Sequence, residues 1–115
     1  MSDIQELMDA VIAFRDARDW KQFHKPKDMA IGLSLEAAEV MEHFLWKQGD
    51  ELEQYLAEHK EDVADELCDV LYWVLLMSHD LNIDLKPSFY NKLEKTAKKY
   101  PVEKSSGRAV KWNAL

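Results

Sequence analysis

One cysteine, three glycines and three prolines are all that this 115-residue chain has of the residues that staple or punctuate a fold. The lone Cys68 excludes an intramolecular disulfide, and so little Gly and Pro excludes collagen-like and low-complexity chains. Long apolar runs are missing too. The longest, Val70 to Met77, falls well short of the about 20 residues that span a bilayer, so it reads as a buried helix and no membrane partner is expected. Basic charge is also scarce: 15 Lys and Arg stand against 22 Asp and Glu, a net −7 that disfavours any broad grip on a nucleic acid polymer. No basic-then-apolar stretch precedes the first helical pattern, so a cytoplasmic location is expected.

What is present repeats at helical spacing. Ile4, Leu7, Met8, Val11 and Ile12 predict a first helix from about Asp3 to Arg18, opened by a capping box of Ser2 and Gln5. The aromatic segment from Asp19 to Pro26 breaks the period and reads as a loop. A second helix, capped by Asp28, is predicted to reach Lys47 and stop at Gly49. Asp50 and Glu53 would open a short exposed connector over 51–58. A third helix follows over about Lys60 to Leu81, its near-continuous apolar surface implying contact on most sides. Asp84 would cap a fourth, turning Phe89, Leu93 and Ala97 inward and ending before Pro101. No strand pattern occurs. The expectation is an all-α, four-helix, bundle-like domain covering 1–115, with 102–115 an irregular tail.

The chemistry concentrates in two carboxylate pairs, Glu36-x-x-Glu39 and Glu66-x-x-Asp69, each on one face of its helix. Gly32, Glu36, Glu39, His43 and Trp46 fall within roughly 80° of one another at helical periodicity, and Asp62, Glu66, Asp69 and Trp73 repeat the plan. If the two helices pack antiparallel across these faces, four acids converge. Carboxylates in a partly dry site need cations, because an unpaired buried charge costs several kcal/mol. Oxygen-only donors favour Mg²⁺ or Mn²⁺. A di-iron bundle would call for Glu-x-x-His, and none is present: Lys21, Val40, Leu56 and Leu76 stand three residues before the four histidines. Asp62 and Glu42 are further possible ligands. Charge is also divided along the chain. Residues 1–85 carry 7 Lys and Arg against 20 Asp and Glu, a net −13, while 86–115 carry 8 against 2, a net +6. Such a division suits a small, highly charged anion held by metals on one side and lysines on the other.

Glu36-x-x-Glu39, 26 residues, then Glu66-x-x-Asp69 resembles the signature of the MazG-like all-α nucleoside triphosphate pyrophosphohydrolases. Arg18-Asp19-Trp20-Lys21-Gln22-Phe23-His24, Phe44-Leu45-Trp46-Lys47, Lys99-Tyr100-Pro101-Val102 and the tail from Gly107 to Lys111 resemble segments of the dCTP pyrophosphatase branch. The resemblance implies a homo-dimer or homo-tetramer that hydrolyses a nucleoside triphosphate to monophosphate and pyrophosphate with Mg²⁺ as cofactor. It implies metal ligands Glu36, Glu39, Glu66 and Asp69; on physical grounds Glu39 and Glu36 are added as catalytic carboxylates, with Glu39 expected to take the proton of the attacking water. Substrate contacts are implied for Trp20, His24, Trp46, Trp73, Lys92, Thr96 and Lys111: Trp20 and Trp46 at the base, Trp73 and Thr96 at sugar or phosphate, and the lysines at phosphate. Two positions depart from the pattern, since Thr96 stands where asparagine is usual and Trp73 where tyrosine is usual.

Two other readings are carried forward. One is a helical oligomeric module that binds nucleotide or metal without turnover. The other is a hydrolase of a phosphoribosyl intermediate, for which the aromatic loop has no obvious use.

Overall fold

The computed structural model describes residues 3–115, so the Ser2 half of the expected capping box lies outside the described residues. Six α-helices and two short 3-10 turns follow in order, and no strand occurs among the described residues. The chain divides into two compact units, one ending at Asn82 and the other spanning Ile83–Leu115.

In the first unit, α1 (Asp3–Ala17) places Asp3 and Glu6 in its first turn and Arg15 in its last, each the sign that the helix dipole favours. It closes through the Arg15 carbonyl, which accepts N–H bonds from Arg18 and Trp20, both at 3.2 Å. A single 3-10 turn, Lys21–Phe23, then leads into α2 (Pro26–Glu42).

Two expectations about α2 are corrected. Asp28 is not its cap: Pro26 occupies the first turn, its fixed φ suits helix entry, and Lys25 before it is extended. Nor does the helix reach Lys47. It ends at Glu42, and Trp46 adopts a left-handed φ of 66°. The His43 Nδ1 there meets the Tyr55 hydroxyl at 2.7 Å, a tertiary tie that the helical period does not encode.

The connector is α3 (Gly49–Glu58), which starts at Gly49 and so leaves Asp50 inside the first turn rather than capping it. α4 (Lys60–Asp80) falls almost where its apolar period put it. It is the centre of this unit. α2 runs along it, and α1 and α3 pack on it as well. The buried apolar side chains among the described residues are Met8 from α1, Met29 from α2, and Leu75 and Leu76 from α4. Arg15 is buried among these helices, and its guanidinium holds Asp80 through two bonds, Nη1 to Oδ2 at 2.8 Å and Nη2 to Oδ1 at 2.9 Å.

α2 and α4 approach closely at Gly32. A Cβ added there would lie 2.6 Å from Trp73 Cε2 and 2.8 Å from Cζ2, inside van der Waals contact. Gly32→Ala therefore sets a helix-propensity gain of about 1 kcal/mol against an overpacking cost of about 1–3 kcal/mol. The indole is hemmed in by Tyr72 and His24, with ring centroids at 5.2 and 5.3 Å, so the cost should win. Urea unfolding is expected to show a net loss. A variant as stable as wild type would mean that Trp73 moves freely.

In the second unit, α5 (Leu85–Lys99) starts after Asp84, which occupies the cap position but makes no side-chain cap bond. Phe89, Leu93 and Ala97, expected to turn inward, are exposed. The tail is more ordered than its composition suggested. It forms one helical turn, α6 (Val102–Ser105), and a 3-10 turn, Trp112–Ala114. The backbone N–H of Trp112 donates to the Tyr100 hydroxyl at 3.1 Å, and the Lys99 ammonium sits 5.2 Å from the Trp112 ring, tying the end of the chain back to α5.

Candidate functional site

The two motif pairs meet where α2 faces α4. Ligand oxygens of Glu36, Glu39 and Glu66 all lie within 4.8 Å of one another, the one such cluster among the described residues. Helical spacing explains it: positions 36 and 39 share the side of α2 that also presents Gly32, and that glycine lets α2 sit near enough for Glu66 to reach them. Asp69, expected as a fourth ligand, is not among the three. It lines a neighbouring cleft together with Glu36.

The electrostatics are those of crowded acids. Burial, a hydrogen bond to Glu39, and repulsion from Glu39, Asp69 and Glu66 push the Glu36 carboxyl up to about 7. Burial and then Glu39 and Asp69 raise Glu66 as well. One oxygen on each, Glu36 Oε2 and Glu66 Oε2, is buried with no hydrogen-bond partner. Unpartnered inward-facing carboxylate oxygens with raised pKa values are what a hard divalent cation satisfies, so the residues fit Mg²⁺ or Mn²⁺.

A pH dependence follows. A folded pKa of about 7 above the ordinary 4.5 means that the folded metal-free chain holds this proton more tightly than the unfolded chain does. The resulting stabilisation is complete below pH 4.5 and is lost as pH rises through 7. Melting temperatures without metal should fall across that window. A divalent cation bound at these carboxylates would have to displace the same proton, so its affinity should rise with pH, with proton release visible by calorimetry in buffers of different ionisation enthalpy. Metal affinity that is flat from pH 5 to 8 would remove Glu36 from the ligand set.

Beside the acids lies a cleft of about 330 Å³, lined by Phe14, Trp20, His24, Glu36, Asp69, Tyr72 and Trp73. That volume is in the range of small-ligand sites. Its rings meet edge to face: Phe14 with Trp20 at 5.7 Å, Phe14 with Tyr72 at 6.3 Å, and His24 with Trp73 at 5.3 Å. Burial first, and then the charge of Arg15, lowers the His24 pKa. Its Nδ1 is buried without a partner.

Of the residues expected at substrate, Trp20, His24 and Trp73 thus share one cleft with Glu36. Trp46 does not join them. It is 90% exposed beyond the end of α2, because the helix stops before the period that would have carried it to the acidic face. Lys92, Thr96 and Lys111 belong to the second unit. There the Thr96 hydroxyl donates to the Lys92 carbonyl at 3.0 Å, while Lys92 and Lys111 are exposed. Neither Phe14 nor Tyr72 was among the residues that the sequence assigned to the site. The available signal was an aromatic three residues after Val11, on a helix whose end leads into Trp20.

Comparison with known proteins agrees with this geometry. The chain is 34% identical over 104 residues to dCTP pyrophosphatase 1 of Rattus norvegicus, covering 89% of this chain and 61% of that protein. It is 32% identical to the Bos taurus protein of that name and 27% identical to the Homo sapiens one, each over 104 residues and 89% of this chain, with 62% and 61% of those proteins covered. The chain therefore spans about three-fifths of the length of these curated relatives. Among solved structures it resembles a pyrophosphatase from Archaeoglobus fulgidus DSM 4304, with a TM-score of 0.80, 34% identity, and coverage of 88% of this chain and 94% of that one. A model of the MazG-like family matches residues 31–115, which include both carboxylate pairs, and on that match the chain belongs to the MazG-like family.

Proposed function

We propose that this chain is a Mg²⁺-dependent nucleoside triphosphate pyrophosphohydrolase, converting a dCTP-like or modified (deoxy)nucleoside triphosphate to monophosphate and pyrophosphate and so clearing it from the cytoplasmic nucleotide pool. The observation that carries this reading is that Glu36 belongs both to the three-carboxylate cluster and to the wall of the aromatic cleft. A substrate with a flat base and a polyphosphate needs such a junction. The names of the rodent, bovine and human relatives and of the archaeal neighbour support the same reaction class.

Glu36, Glu39 and Glu66 would hold the metal, with Asp69 as a further ligand. The chemistry that a Mg²⁺ held by these carboxylates would supply is neutralisation of phosphate charge and a lower pKa for a bound water. Glu39 accepts the proton of the attacking water, a role for which a positioned carboxylate contributes about 10²–10⁴-fold. Trp20 and Trp73 stack on the base, each ring contributing roughly 1–3 kcal/mol without regard to base identity. Selectivity then needs directional bonds. His24, held neutral by burial and by Arg15, offers one ring nitrogen as acceptor and one as donor. Lys92, Thr96 and Lys111 are assigned to the substrate by resemblance alone.

The working form is a homo-dimer or homo-tetramer. α2 carries Ile31, Leu35 and Met41 on a side away from Met29, and Leu35 and Met41 are 60% and 58% exposed. Soluble proteins rarely leave such a stripe uncovered, and a second copy is the partner that fits.

The test is a panel of triphosphates incubated with pure protein and Mg²⁺, with the products separated. Monophosphate and pyrophosphate are expected; diphosphate and orthophosphate would sink the mechanism. Thermal stabilisation by nucleotide with no product after long incubation would favour the non-catalytic binding module instead.

A further inference from the structure

We propose that Arg15 and Asp80 are positioning residues: their ion pair locks the end of α1, and with it the Trp20–His24 segment, onto α4, and so holds the aromatic cleft in its substrate-binding shape. This rests on the reading of that cleft as the base subsite.

Arg15 is bonded in two directions at once. Its guanidinium grips both oxygens of Asp80, 65 positions away on α4, at 2.8 and 2.9 Å. Its carbonyl accepts the N–H of Trp20 at 3.2 Å, so the residue fixed to α4 by its side chain also fixes by its backbone the first ring of the cleft. Phe14, the residue before it, is another wall of that cleft. His24 also lines a second cavity, of about 370 Å³, together with Lys21 and Asp80, so it borders both the cleft and a cavity that the carboxylate held by Arg15 lines.

Stability alone accounts poorly for this arrangement. Arg15 is 1% exposed, and its Nε has no hydrogen-bond partner. A buried ion pair with an unsatisfied donor carries a desolvation cost that an apolar pair of similar volume would avoid. What two parallel N–H to carboxylate bonds supply, and apolar contact does not, is one orientation of α1's last turn relative to α4.

The test compares wild type with the paired variant Arg15→Met/Asp80→Leu, which removes both charges together, and with Asp80→Glu, which keeps the pair. In the paired variant KM for the preferred triphosphate is expected to rise about tenfold while kcat changes by less than about twofold. Amide exchange at residues 20–24 should accelerate about tenfold, with protection at Leu75 and Leu76 unchanged. Mn²⁺ binding by the carboxylate cluster should be unaffected, and Asp80→Glu should sit between wild type and the paired variant on both readouts. Unchanged exchange at 20–24, or exchange that rises equally in the α4 core, overturns the proposal. If the paired variant does not fold, Asp80→Glu reads the same two quantities. A wild type that turns over no nucleotide refutes the assigned reaction instead, and the exchange comparison then decides the clamp without it.

Discussion

Glu66→Gln is expected to abolish the Mg²⁺ response while raising the melting temperature of the metal-free protein. The opposite signs share one cause. Glu36, Glu39 and Glu66 crowd their oxygens within 4.8 Å, and burial first, then the neighbouring carboxylates, raises the pKa values of Glu36 and Glu66. Removing one charge relieves the metal-free fold and impoverishes the metal site. Glu39→Gln should act similarly and cost about 10²–10⁴-fold in kcat if Glu39 takes the water's proton. Thermal melts with and without Mg²⁺, beside product assays, separate these effects. A Glu66→Gln protein that melts lower than wild type without metal, or keeps full activity, would show that the cluster is a solvated surface rather than a metal site.

Asp80→Asn should be the most destabilising single change in the first unit. It leaves the Arg15 charge buried opposite a neutral amide, a loss of about 3–5 kcal/mol for breaking a buried pair. Domains of this kind hold about 5–15 kcal/mol in all, so much of the stability would go. The pH dependence carries its own signature. Arg15 holds the Asp80 carboxyl down at about 2, below its ordinary 3.8. A depressed folded pKa gives stability that is present above 3.8 and drains away as pH falls toward 2. Urea unfolding from pH 7 down to 2 should show that decline in wild type and a flatter curve in Asp80→Asn. Parallel curves would locate the acid sensitivity elsewhere.

The carboxylate cluster and the long helices were legible because they depend on local periodicity. α1 and α4 end within one residue of their expected limits, and Glu36, Glu39 and Glu66 come together as helical spacing suggested, with Asp69 in the neighbouring cleft. Where tertiary ties decide, the period fails. α2 stops at Glu42, beside the His43 to Tyr55 contact, and Trp46 leaves the face on which a continuing helix would have put it. Lys25-Pro26 set the start of α2, and the proline outweighed Asp28. The Arg15–Asp80 pair was invisible for a different reason. Arg15 lies in the mixed-charge run from Arg15 to Asp19, which reads as solvated surface, and only its place seven residues after Met8, on the same helix face, hinted at burial.

The close approach of Gly32 to Trp73 carries one last consequence. Because an added Cβ would meet the fused indole ring itself, the residue at 32 and the ring at 73 are coupled, and a ring of different shape at 73 is expected to change what position 32 accepts. The two positions should therefore change together among relatives, and Trp73→Tyr should restore to Gly32→Ala the stability it loses alone.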